Sequence, residues 1–185
     1  MIEPGTLVAT RYRLDERVAI ESHGEAWRAA DIVLGREVTV WCQLRPFGIP
    51  EGFEQRLWPN VRAVATVTHP RLVHIIDYGS DPSAGPYVIT ENPDAQPLSQ
   101  ILASEGRLTP QRTSSILAGV AEGLQALHNA GFVHGHVRPA TILVRPDGTG
   151  LLSGLFLSSL GRDAVPTGPT WWPSRVPFTA GPSAR

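Results

Sequence analysis

The spacing of apolar residues changes partway along the chain, and this change limits the fold more than any other feature. Between residues 12 and 44, apolar and polar residues alternate in short runs that are broken at 22–24 and 34–35. A period of two is typical of half-buried strands, and the breaks are typical of tight turns. The sequence therefore predicts three antiparallel strands in this region.

A second pair of strands and a helix are predicted next. Two apolar runs, Leu72 to Tyr78 and Tyr87 to Thr90, flank a turn-rich stretch and predict a hairpin. Residues 51–67 predict a helix between the two groups of strands. Pro59 should kink or shorten this helix, because proline lacks an N–H and clashes with the preceding turn.

Beyond residue 97 the apolar period becomes 3.6, which is typical of helices. Leu98 to Ser104 predicts a short helix. Thr109 to Ala130 predicts a long one, with Thr109 as N-cap and Gly131 as C-cap. One buried stripe is expected on it, formed by Ile116, Leu117, Val120, Leu124 and Leu127. Two short apolar runs at 142–144 and 151–152 then bracket a turn.

Composition disfavours several classes of protein. Sixteen basic residues nearly balance seventeen acidic ones, and no basic run stands out, so nucleic acid is not an expected partner. The single Cys42 cannot form an intramolecular disulfide, and the N-terminus has no apolar signal-peptide segment. The most apolar stretch, 151–160, is about half of the roughly 20 residues that a membrane-spanning helix needs. We therefore expect a cytoplasmic protein without a membrane span.

Three motifs stand in the order found in protein kinases. Residues 31–40 resemble the connection between the second and third strands of bacterial serine/threonine kinases, and 69–73 resemble their HPNIV segment. Residues 128–144 resemble the run from the long helix into the catalytic loop. The chain is thus similar to bacterial, actinobacterial-type serine/threonine protein kinases up to the metal-binding loop.

The resemblance implies an α+β fold of the protein kinase type. Its N-lobe, residues 1–93, would hold a five-stranded antiparallel sheet with one helix. Residues 94–160 would form a partial, mainly helical C-lobe, truncated after the metal-loop position. The Pro- and Gly-rich tail at 161–185 is expected to be disordered.

The positions that hold ATP phosphates in this family carry other residues here. The glycine-rich loop keeps only Gly24, and the motif that ends in a catalytic lysine reads 38–41, where strand alternation directs Thr39 and Trp41 into the cleft. The helix glutamate that pairs with the lysine falls on Asn60. All sixteen basic residues are arginine, so another lysine cannot substitute; the candidate cations are Arg13, Arg17 and Arg28.

The catalytic loop and the segment between the lobes also depart from the family pattern. His134 matches a structural histidine, whereas His136 replaces the base aspartate, Thr141 the metal-binding asparagine and Gly154 the metal-binding aspartate. Thr90 and Glu91 lie in the connecting segment. Pro93 follows at the position where the family's backbone N–H donates to adenine. These replacements predict that ATP and magnesium binding are lost; an alternative is a metal site formed by His128, His134 and His136.

Three functional hypotheses follow. The first is a catalytically inactive pseudokinase, not an enzyme and without cofactor, that acts as a scaffold or regulator through a protein partner. That partner would be an active kinase or a phosphothreonine-binding module that reads Thr167, Thr170 or Thr179. The second is a divergent serine/threonine protein kinase with weak ATP binding and His136 as base. The third is a truncated, non-functional gene product.

Overall fold

The computed structural model describes residues 2–21, 24–42 and 52–157. Within these ranges the larger sheet has six antiparallel strands: β1 (Leu7–Val8), β2 (Tyr12–Glu21), β3 (Gly24–Asp31), β4 (Arg36–Cys42), β5 (Ile75–Asp81) and β6 (Gly85–Glu91). They lie in the order β1-β2-β3-β4-β6-β5. The predicted group of three strands corresponds to β2–β4, and the predicted hairpin to β5–β6. The sequence missed β1, because two residues are too few to show alternation.

Helix α1 (Phe53–Val64) lies between β4 and β5 and contains Pro59. It is shorter than the predicted 51–67, and it continues past the proline. Four residues at helical spacing are buried: Phe53, Leu57, Val61 and Val64. This apolar stripe holds the helix against the sheet even though Pro59 cannot donate a backbone hydrogen bond.

Two further helices, α2 (Leu98–Glu105) and α3 (Pro110–Asn129), follow the larger sheet. The N-cap prediction for α3 is confirmed, since the Thr109 hydroxyl accepts a hydrogen bond from the Arg112 backbone N–H at 3.2 Å. The C-cap is Ala130, and Gly131 follows it with a φ of 81°. Of the predicted stripe, Ile116, Val120 and Leu127 are buried and Leu124 is partly buried, whereas the prediction is wrong at Leu117, which is 49% exposed.

A small sheet with the order β7-β8-β9 packs against α3. Its strands are β7 (Gln96–Pro97), which the sequence analysis missed, β8 (Ile142–Val144) and β9 (Gly150–Leu152). Two backbone hydrogen bonds fix β9 against the segment before β5: Val73 N–H donates to Leu152 O, and Leu152 N–H donates to Arg71 O, both at 2.8 Å. The two sheets are thereby joined across the interior.

The predicted tail, residues 161–185, lies outside the described residues together with its candidate phosphorylation sites Thr167, Thr170 and Thr179. Within the ranges that are described, no helix is both long and apolar enough to cross a membrane. The architecture confirms the predicted α+β class.

Candidate functional site

A cleft of about 560 Å³ separates the larger sheet from the helical part of the protein. Side chains of β2, β3 and β4 form its roof, and Ala140, Leu143 and Ser153 lie on the opposite side. The segment from Thr90 to Pro97 forms the wall that connects the two sides. The cleft is therefore built from residues far apart in sequence, which the strand order brings together.

Thr39 and Trp41 both line this cleft, as the alternation along β4 predicts. The Trp41 side chain is only 9% exposed, and its indole meets the ring of Phe156 edge to face, with ring centroids 5.5 Å apart. This geometry is favourable for aromatic pairs. Trp41 thus lines the cleft and belongs to the hydrophobic core at the same time.

The connecting wall is tied to its surroundings on both sides. The Glu91 N–H donates to His74 O at 3.0 Å, and the Glu91 carboxylate accepts the His74 N–H at 3.1 Å. The Asn92 side chain donates to Glu37 at 3.1 Å and lies 3.4 Å from the Thr39 hydroxyl. The wall is therefore held in place at Glu91 and Asn92, next to Pro93.

Of the three candidate cations, Arg28 lines the cleft. It pairs with Glu16, and both side chains are at least half exposed. Arg13 and Arg17 form ion pairs with other carboxylates of the larger sheet. Exposed ion pairs contribute about 0–1 kcal/mol, so Arg28 can leave Glu16 at little cost.

The described residues that line the cleft do not include Asn60 or Gly24. Asn60 is exposed, and its side-chain amide donates to the Arg56 carbonyl oxygen at 3.0 Å along the same helix. Gly24 begins β3 and pairs in register with Glu21. Asn60 is thus directed to solvent rather than toward Trp41.

His134 is buried and connects two parts of the catalytic-loop region. Its Nε2 lies 2.9 Å from Ser153 O, and its Nδ1 accepts the His136 backbone N–H at 3.2 Å. Because Nδ1 is an acceptor, the ring hydrogen is on Nε2 and is donated to Ser153 O. Burial lowers the pKa of His134, since an imidazolium there would be desolvated and would lose the His136 contact.

The lowered pKa of His134 predicts that the protein loses stability in mild acid. Below about pH 6.5 the unfolded chain takes up a proton that the folded histidine resists, so the free energy of unfolding falls as pH falls. One such group contributes at most about 1.4 kcal/mol per pH unit. Urea denaturation from pH 7.5 to 5.5 measures the slope. His134→Gln, which cannot titrate, should show a smaller slope; an unchanged slope would contradict the assignment.

Thr141 is buried, and its polar atoms form hydrogen bonds within the catalytic-loop region. Its hydroxyl donates to His136 O at 2.6 Å and accepts the Arg138 N–H at 3.1 Å. Its carbonyl oxygen accepts the Ser153 N–H at 2.9 Å. A threonine therefore fits this position by closing the loop with hydrogen bonds.

Gly154 follows with a φ of 74°, in the region where glycine is favoured because it lacks a Cβ. The alternative of a histidine metal site gains no support, because both ring nitrogens of His134 have protein partners. Nowhere in the described ranges do three His, Cys, Asp or Glu side chains group as metal ligands would.

Sequence reasoning missed the contributions of Asn92 and Phe156. Asn92 lies between Glu91 and Pro93 and has no distinguishing pattern, although its neighbours indicate a connecting segment. Phe156 follows Gly154 in a short apolar run. Its contact with Trp41 depends on how the two sheets meet, which local sequence does not encode.

Comparison with known proteins identifies relatives of this chain. The family described as "Protein kinase domain" matches residues 47–155. Serine/threonine-protein kinase PknA of Mycobacterium tuberculosis is 32% identical over 148 residues, which cover 78% of this chain and 34% of PknA. Probable serine/threonine-protein kinase PknB of Corynebacterium glutamicum is 30% identical over 145 residues, 77% of this chain and 22% of that protein. The chain thus spans about a third of PknA and about a fifth of PknB.

Solved structures agree on the fold. The kinase domain of Mycobacterium tuberculosis PknI has a TM-score of 0.72 at 19% identity, covering 84% of this chain and 62% of that one. The apo form of PpkA-294 has a TM-score of 0.71 at 15% identity, covering 87% and 64%. These structures confirm the predicted kinase-like fold, and the family match with the sequence relatives confirms the resemblance to bacterial serine/threonine kinases.

Two expectations from the sequence are wrong. The expectation that the chain is not an enzyme is overturned by the protein kinase match and by relatives that are named as serine/threonine kinases. The expectation that ATP and magnesium are lost is overturned on the same ground, because kinases of this kind use both. Both expectations were inferred from single replaced side chains. The affinity of a cleft for a nucleotide depends on all the residues that line it, so these replacements alone do not determine it.

Proposed function

The chain belongs to the protein kinase family, and on that premise we propose that it is part of a divergent serine/threonine protein kinase that binds a purine nucleoside triphosphate in its cleft. The observation that carries the proposal is the cleft itself, with a volume of about 560 Å³ and Thr39, Thr90 and Ser153 in its lining. Pockets of 300–1,000 Å³ are the size in which small ligands bind. Because the chain spans about a third of PknA, phosphoryl transfer is proposed for the whole protein.

The lining suits the flat, apolar faces of a purine. Ala19 and Ala26 place small side chains on the roof, and Leu143 lies opposite. Small apolar residues leave room for a ring while they exclude water from its faces. Carboxylates and amides on the connecting wall would give the polar edge its hydrogen bonds.

Magnesium fits the described residues less well. Thr141 uses its hydroxyl within the loop, and Gly154 has no side chain. Magnesium often keeps several waters and binds mainly through substrate phosphates. We therefore expect the ion to enter with the triphosphate, and we derive no step from a metal held by these side chains.

His136 is proposed as the group that accepts the proton of the phosphate-accepting hydroxyl. It stands at the position of the family's base, and histidine is the side chain that most often acts as a general base. Its backbone N–H is bound to Nδ1 of His134, and its carbonyl accepts the Thr141 hydroxyl. These two contacts fix the backbone that presents the His136 side chain.

The proposal predicts that nucleotide stabilises the chain and that His136 is needed for phosphate transfer. ATP with magnesium at millimolar concentration should raise the melting temperature saturably, because ligand at a hundred times its Kd raises the free energy of unfolding by about 2.7 kcal/mol. Transfer of radiolabelled phosphate should fall about a hundredfold or more in His136→Ala. His128→Ala, an exposed histidine at the end of α3, is the matched control. Absence of any ATP-dependent shift would contradict nucleotide binding, and equal transfer by both variants would contradict the role of His136.

We also propose that the protein is cytoplasmic and that it has an N-lobe at 1–93 and a partial C-lobe at 94–160. Contact with a protein partner is supported by large apolar side chains at the surface: Val133 is 69% exposed and Val137 is 45% exposed.

A further inference from the structure

Four residues of the catalytic-loop region form a closed cycle of hydrogen bonds in which each residue donates to the next. The His136 backbone N–H donates to His134 Nδ1 at 3.2 Å, and His134 Nε2 donates to Ser153 O at 2.9 Å. The Ser153 N–H and hydroxyl both donate to Thr141 O, at 2.9 Å and 3.1 Å. The Thr141 hydroxyl donates to His136 O at 2.6 Å and so closes the cycle.

Most of this cycle is shielded from water. The residues His134, Thr141 and Ser153 are buried, whereas His136 is partly exposed. A buried donor or acceptor that loses its partner is left desolvated, and this costs more than the bond itself contributes. Loss of one contact should therefore weaken the contacts that remain.

The cycle acts on His136 from both sides of its Cα atom. The N–H that His134 accepts belongs to the peptide plane before this Cα, and the carbonyl that accepts from Thr141 belongs to the plane after it. Because each peptide group is planar, two held planes fix both φ and ψ of the residue between them. The direction in which the imidazole leaves the backbone is fixed as a result.

From this geometry we infer that Thr141 is a positioning residue for His136 and acts through the cycle. The inference rests on the proposed function, because it takes His136 as the group that accepts the proton. Valine has nearly the shape of threonine without the hydroxyl, whereas serine keeps the hydroxyl without the methyl group. Thr141→Val and Thr141→Ser therefore separate the hydrogen bond from the packing.

Phosphate transfer by the 185-residue chain measures the effect on the reaction. Thr141→Val should lower kcat about tenfold or more and change the KM for ATP by less than about twofold, because the hydroxyl acts on His136 and not on the nucleotide. Thr141→Ser should keep kcat within about threefold of the wild type. Thr113→Val, which removes an exposed hydroxyl on α3, is the matched control and should change neither constant.

A combined variant shows whether Thr141 acts through His136. In a chain that already carries His136→Ala, Thr141→Val should lower kcat no further, because no imidazole is left to position. A further drop as large as that in the wild-type background would overturn the inference. The cause would then be a general loss of structure.

Amide hydrogen exchange followed by NMR tests the cycle without any substrate. Thr141→Val removes a contact of the His136 carbonyl oxygen but no atom of the contact between the His136 N–H and His134. If the contacts depend on one another, the His136 N–H should exchange about tenfold faster relative to the Val73 N–H. Val73 donates to Leu152 O outside the cycle. A general loss of stability would speed both amides alike, so the ratio isolates the cycle.

The outcomes separate this inference from the proposed function. An unchanged exchange ratio in Thr141→Val, or an unchanged kcat where His136→Ala abolishes transfer, overturns the inference and leaves the proposed function intact. Transfer by His136→Ala equal to that of the wild type overturns both. If the wild-type chain transfers no phosphate, the exchange ratio decides. If Thr141→Val fails to fold, Ser153→Ala removes one of the two contacts to Thr141 O and should raise the same ratio about threefold; no rise overturns the inference.

Discussion

Replacing Trp41 by alanine should lower the free energy of unfolding by about 3–5 kcal/mol. The indole is almost completely buried, and its contact with Phe156 joins β4 to the segment that follows β9. Truncation would remove the buried apolar area and leave a cavity that the surrounding core cannot fill. Urea denaturation followed by circular dichroism measures the loss as a lower midpoint with an unchanged m-value.

Trp58→Ala is the matched control for this prediction. Trp58 also contacts an aromatic ring, that of Tyr78 at 5.5 Å, but it is only partly buried on α1. Its truncation should cost clearly less than that of Trp41. Equal losses in the two variants would mean that the Trp41–Phe156 contact does not join the two sides of the cleft.

Gly150→Ala should destabilise the fold by about 3 kcal/mol, because β9 and α3 meet backbone to backbone at this position. A Cβ on Gly150 would overlap the carbonyl oxygen of Ile116. The approach is close from the other side too, since a Cβ on Gly119 would lie 2.5 Å from the Gly150 carbonyl oxygen. This overlap could be relieved only if α3 moved away from the small sheet. The midpoint of thermal or urea unfolding measures the loss.

Gly148→Ala separates this clash from the ordinary cost of replacing a glycine. Gly148 lies in the same hairpin with a φ of 83°, and a Cβ there would meet nothing within 4 Å. Its substitution should cost about 1–2 kcal/mol through backbone strain alone. A loss for Gly150→Ala no larger than this would show that α3 can shift without penalty.

The cleft depends on how three strands are aligned. Register pairs Thr39 with Thr90 and with Arg28, and it pairs Trp41 with Ala26 and Val88. Residues paired in this way project to the same face of a sheet. One row thus includes Thr90 of the connecting wall, and the next row includes the buried Trp41.

Part of the site could be predicted from the sequence. Strand alternation was sufficient to direct Thr39 and Trp41 to one face of β4, and both line the cleft. The position of Asn60 could not be obtained in this way. The resemblance gives an equivalent position in the family, whereas the direction of a side chain depends on how the helix is rotated against the sheet. Asn60 is exposed because the buried stripe of α1 lies on another face.

By itself, the sequence determined the elements whose cause is local. Alternation produced β2–β4, and the Thr109 hydroxyl set the start of α3, because caps and periodicity involve residues only a few positions apart. Only the tertiary structure decided that Trp41 meets Phe156, that Gly150 touches α3 and that Asn92 to Ala95 line the cleft. The physical reason is that these contacts join segments distant along the chain, and their free energy arises from close packing.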